Sequence, residues 1–157
     1  MIDTIKKFVE ERDIALIGVS KDPNKFGNFL LKELNKKGYI IHPVHPSLKE
    51  VEGTKCYPSL DDLPENVRNL LIVVQPKITE EVVKEINPGK IKRVWMHKGA
   101  GNGSASDQAI RECKDKGIEV VYGFCPMMFL SHSGIHRFHL WMRKTFGKTP
   151  PEFRMPN

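Results

Sequence analysis

Cysteine is scarce in this chain. Cys56, Cys113 and Cys125 are far apart and form no C-x-x-C pair, which excludes a disulfide scaffold and a zinc ribbon and points to a reducing, cytoplasmic setting. Long apolar runs are missing too, and none approaches the roughly 18 residues of a membrane span. The opening MIDTIKKFVEERD carries acids in an amphipathic rhythm where a secretory leader has an apolar core, so it is expected to belong to the fold. Catalytic signatures are also absent. There is no G-x-S-x-G turn, no H-E-x-x-H helix and no P-loop.

What is present is the composition of one ordinary globular domain. The 157 residues are 39% hydrophobic and 28% charged, enough chain to bury about two-thirds of its unfolded surface. The formal charge of +6 is concentrated at one end. Residues 131–157 hold Arg137, Arg143, Lys144, Lys148 and Arg154 against the single acid Glu152, so the remainder is nearly balanced. A solvated basic tail has this composition, and so does an arm that docks on nucleic acid or a protein partner.

Two apolar rhythms alternate along the chain. Ile5, Phe8 and Val9 recur at helical spacing, and the apolar run 14–19 follows. Phe26, Leu30 and Leu34 mark a second helix that should stop near Gly38. YIIHPV reads as a short strand ended by Pro43 and Pro46, and LLIVVQ, 70–75, as a strand buried on both faces. Ile78, Val82, Val83 and Ile86 give a helix, and IKRVWM a strand. Ala105, Ala109, Ile110 and Cys113 give another helix, and IEVVYG a fifth strand. This alternation predicts an α/β fold, a Rossmann-like doubly wound parallel sheet of about five strands. A C-terminal helical extension is expected beyond it, with a helix over 135–146 whose Ile135, Phe138 and Met142 form an apolar stripe. The expected domains are 1–125 for the sheet and 126–157 for the basic extension packed on it.

Ligands of such sheets bind beyond the carboxyl ends of the strands. The first loop runs from Gly18 through Val19, Ser20 and Lys21 to Gly27, without the G-x-G-x-x-G spacing of a dinucleotide turn. The second strand ends in His42-Pro43-Val44-His45-Pro46, with no acid for a ribose 2′-hydroxyl. Both departures weigh against NAD. Lys21, Lys25 and His45 instead gather cationic or potentially cationic groups, which suits a ligand carrying an extra phosphate on its ribose. Ser20 adds a hydroxyl donor, and the helix that follows offers its first-turn N–H groups. Taken alone, two lysines in a turn are what a solvated surface carries.

The motifs IALIGVSKDPNKFG, GYIIHPVHP, CYPSLDDLP, LLIVVQP, VWMHKGAGN and GIEVV, followed by Cys125, occur in this order. Together they resemble the small Rossmann-type CoA-binding proteins. These are related to the CoA-binding domain of the succinyl-CoA synthetase alpha subunit and of ADP-forming acyl-CoA synthetases. The resemblance covers about four-fifths of the chain and implies coenzyme A, or a short acyl-CoA, as the bound ligand. It implies that Gly18, Val19, Ser20 and Lys21 hold the phosphates. His45 and Pro46 stand in the loop after the second strand, where the family usually reads P-V-N-P. Val74, Gln75 and Pro76 correspond to the stretch flanking the adenine. Met96, His97, Lys98 and Gly99 correspond to the loop against the pantetheine end, although the family often has glutamine at the position of His97.

Other candidates for chemistry have plainer readings. Gly99, Gly101 and Gly103 suit an anion-binding nest or ordinary loop punctuation, and Ser104 with Asp107 looks like a helix-capping pair. His132, His136 and His139 share a helical face and, with Cys125, are the best metal set, but they also border the apolar stripe. Cys125 suits a buried thiol, or one facing the ligand and open to a mixed disulfide. The expectation is binding without catalysis: no catalytic residue, no metal and no membrane. The phosphoryl-transfer domains of the synthetases are not expected in a chain of this length. The alternatives are an NAD(H)-binding redox sensor or oxidoreductase on the same fold, and an interaction protein with a basic tail.

Overall fold

The computed structural model describes residues 1–98, 101 and 103–129. Helix α1 (Ile2–Glu10) turns Ile5 and Phe8 inward and leads into strand β1 (Asp13–Ile17). Helix α2 (Phe26–Lys36) follows, and Gly38 ends it in the left-handed region at φ 84°, with the Tyr39 N–H returning to the Leu34 carbonyl at 3.1 Å. Strand β2 (Ile40–Val44) comes next, then a small hairpin of β3 (Glu50–Val51) and β4 (Thr54–Lys55). The remaining elements are β5 (Asn69–Ile72), α3 (Pro76–Glu85), β6 (Arg93–Met96), α4 (Asp107–Asp115), β7 (Glu119–Tyr122) and a 3₁₀ turn at Pro126–Met128.

Five strands form one parallel sheet in the order β2-β1-β5-β6-β7. This is the doubly wound α/β architecture that the alternating rhythms predict. Side chains leave each strand alternately up and down. Ile14, Leu16, Leu71, Trp95 and Val121 therefore pack on one face with Phe8 of α1 and Leu30, Leu31 and Leu34 of α2. Ala15, Leu70, Ile72, Val94 and Met96 pack on the other with Val83 of α3 and Ala109 and Cys113 of α4. Burial on both faces explains why these strands read as continuous apolar runs.

Three local expectations are corrected. Pro43 does not end the second strand; it lies inside β2, opposite Leu16. β2 is the edge strand, and Pro43 turns its carbonyl, and with it the nitrogen that lacks a hydrogen, outward to accept the Tyr57 N–H at 2.8 Å. The cap of α4 is Ser106 and not Ser104: the Ser106 hydroxyl accepts the Ala109 N–H at 3.0 Å, and Ser104 is buried in the preceding loop. Phe26 is not a core residue. It is 41% exposed, and the inward face of α2 begins with Gly27 and Asn28.

The first residues of the expected extension pack on the sheet. Phe129 is buried edge-on against Trp95 and Phe124, with ring centroids 5.4 and 5.9 Å apart. The expected helix over 135–146, the histidines at 132, 136 and 139, and Gly99 lie outside the described residues. No helix among the described residues is long and apolar enough to cross a membrane.

Candidate functional site

The order of the strands reverses between β1 and β5, which opens a crevice beyond their carboxyl ends. Gly18 leaves β1 at φ 125°, a conformation that L side chains rarely adopt, and any Cβ there would strike the Val73 side chain at the end of β5. Gly27, in the first turn of α2, sits against the carbonyl of Gly18, again with no room for a Cβ. The two glycines let helix and strand approach closely and hold the intervening turn directly over the switch point.

The interior of this turn is tied by one side chain. Asn28 is 1% exposed. Its carbonyl oxygen accepts the Ser20 N–H at 2.9 Å, and its amide donates to the Ser20 carbonyl at 2.8 Å and to the Glu52 carboxylate at 3.2 Å. The Ser20 hydroxyl accepts the Asp22 N–H at 3.1 Å and keeps its own proton for a further acceptor. Val19 is buried in the core, so it offers main chain only. Lys21 and Lys25 are exposed, and α2 begins at Lys25 without a side-chain cap. Helix α3 also begins uncapped, with Gln75 as N-cap and Pro76 following. Two helix N-termini with unclaimed N–H groups thus open beside the crevice.

His45 follows β2. Its Nδ1 accepts the N–H groups of Ser47 and Leu48, each at 3.2 Å, so Nε2 holds the ring proton. Nε2 is thereby left as a donor. Pro46, next to it, is exposed.

A cleft of about 480 Å³ runs from the ends of β5 and β6 toward β7. Val74 and Gln75 from the end of β5, His97 from the end of β6, Phe26, Ser104 and Cys125 are among the residues that line it. Lys21, Lys25, His45 and Pro46 are not part of this wall. Met96 is fully buried beneath it, and Lys98 is exposed beyond it. The Phe26 and His97 rings lie against each other, centroids 4.6 Å apart. His97 Nε2 is buried and has no hydrogen-bond partner among the described residues. Burial holds the ring below its ordinary pKa of 6.5, so it stays neutral there.

The thiols are quiet. Burial raises Cys125, with partial relief from the Met127 backbone, and pushes Cys113 up to about 11. No His, Cys, Asp or Glu cluster among the described residues suits a metal ion. Sequence reasoning missed Phe26 and Asn28 as site residues. The available signal was Asn28 itself, a polar residue on the otherwise apolar inward face of α2.

A glycine turn tied at the switch point, two helix N-termini without side-chain caps and an adjoining cleft stand together at the carboxyl ends of the strands. The family model described as CoA binding domain matches residues 12–131. The chain belongs to the CoA binding domain family. It is 28% identical over 145 residues to the alpha subunit of an ADP-forming acetate–CoA ligase II from Pyrococcus furiosus, covering 87% of this chain and 32% of the ligase subunit. A ligase from Archaeoglobus fulgidus matches 88% of this chain at 28% identity, but over 20% of its own length. This chain therefore spans a third or less of the length of these ligases. YneT, an uncharacterized protein from Bacillus subtilis, is of similar size: 27% identical over 126 residues, covering 77% of this chain and 87% of its own. A hypothetical protein from Pyrococcus horikoshii superposes with TM-score 0.71 at 30% identity, covering 81% of this chain and 87% of that one.

Proposed function

We propose that this CoA-binding domain holds coenzyme A, or a short acyl-CoA, across the carboxyl ends of its strands and performs no catalysis by itself. The pyrophosphate sits at the Gly18–Lys21 turn and the α2 N-terminus. Lys21 and Lys25 face the ribose phosphate, with His45 as a further donor. Val74, Gln75 and Pro76 flank the adenine, and the pantetheine arm follows the cleft past Phe26 to His97. The observation that carries this reading is the close approach of Gly18, Val73 and Gly27 at the switch point, because it leaves main chain where a polyanion must come near. The absence of an acid at the end of β2 disfavours NAD. Native mass spectrometry of the purified protein tests the reading. A co-purified or added mass equal to coenzyme A or a short acyl-CoA is expected. A protein that retains NAD and ignores coenzyme A contradicts it.

A further inference from the structure

Glu52 stands where its residue type is locally unfavourable. It occupies the first position of the two-residue turn Glu52-Gly53 between β3 and β4, and both residues have positive φ, 50° and 73°. Such turns favour Asn-Gly. Glu52 is the one non-glycine among the described residues with positive φ. Its carboxylate accepts from the buried Asn28 amide at 3.2 Å and lies 3.8 Å from Lys32. The contact joins a hairpin tip to the inside of the phosphate turn. A carboxylate only accepts, so it fixes the Asn28 NH₂ on its own side. That leaves the Asn28 oxygen for the Ser20 N–H.

The direction of the next peptide follows. The Ser20 carbonyl turns inward onto Asn28. With no cis peptide among the described residues, the Lys21 N–H must point the opposite way, out of the turn. The Ser20 N–H is occupied and cannot serve a ligand. We infer that Glu52 is a positioning residue for the ligand's phosphates: through Asn28 it sets the Ser20–Lys21 peptide so that the Lys21 N–H, and not that of Ser20, meets the phosphate. This deepens the coenzyme A reading and rests on it for the identity of the ligand.

The test compares wild type with Glu52→Asn and Glu52→Gln. Asparagine suits the left-handed position but is one methylene too short to reach Asn28, whereas glutamine keeps both the reach and an accepting oxygen. Three readouts are taken: melting temperature, ligand-free amide hydrogen exchange at Ser20, and titration with coenzyme A and with inorganic pyrophosphate. Glu52→Asn should exchange its Ser20 amide faster and bind both ligands about three- to tenfold more weakly, the melting temperature serving to show that both variants fold. Glu52→Gln should restore most of the protection and affinity. Unchanged Ser20 exchange in Glu52→Asn overturns the relay, and faster exchange with unchanged affinity overturns the positioning role. If wild type binds pyrophosphate but not coenzyme A, the coenzyme A reading fails while the relay is still judged on pyrophosphate. Binding of neither overturns both.

Discussion

Gly27 lies so close to the carbonyl oxygen of Gly18 that a single methyl group does not fit between them. The contact sets the distance between the first turn of α2 and the end of β1. The obstacle is backbone on both sides and cannot swing away as a side chain would. Gly27→Ala should therefore push the helix start off the strand and cost about 1–3 kcal/mol of stability, as overpacking does. Ligand affinity should fall further than stability, because the displaced part is the turn proposed to hold the phosphates. Denaturant unfolding paired with calorimetric titration checks both expectations.

Lys21 and Lys25 are exposed and frame a turn whose main chain is already tied down. Their contribution should therefore be charge and not structure. Alanine at both positions should leave the melting temperature nearly unchanged and narrow the preference for coenzyme A over dephospho-coenzyme A. Removing each charge-assisted hydrogen bond to phosphate should weaken binding by about 1.5 kcal/mol, less at high salt. Binding isotherms of the variant for the two ligands, at low and high ionic strength, measure this.

His97 gives the stability profile a defined pH window. Burial lowers its pKa in the folded protein below the ordinary value of 6.5. Between the folded value and 6.5 the unfolded chain binds more protons than the folded one. Stability is therefore fully present above the unfolded pKa and is lost as pH falls through the folded one. Glu119, whose carboxylate accepts from Lys7 and Thr4, also loses stabilisation in acid, but in the lower carboxylate range. His97→Gln should flatten the upper part of the decline and leave the lower part. Thermal melts of both proteins across mildly acidic pH distinguish the two windows.

The sheet was legible because its strands are buried on both faces and announce themselves as apolar runs such as LLIVV. The tight turn after β1 was legible from Gly18 and Gly27 on either side of Ser20 and Lys21. What was hidden depends on contacts remote in sequence. Pro43 reads as a strand breaker until β2 is known to be an edge, and Phe26 reads as core until Gly27 is seen to take the inward position. The role of Asn28 is set by Glu52, 24 residues away. No local spacing encodes such a pair. His45 shows the same limit, since the orientation of its ring follows from the Ser47 and Leu48 N–H groups folding back onto Nδ1.

The central claim is that the crevice between β1 and β5 holds coenzyme A. Calorimetric titration of the wild-type protein with coenzyme A, dephospho-coenzyme A and NAD tests it most directly. Saturable binding of coenzyme A, weaker binding of dephospho-coenzyme A and weaker still of NAD is the predicted order. Tighter binding of NAD, or no heat with coenzyme A from a folded protein, would contradict the claim.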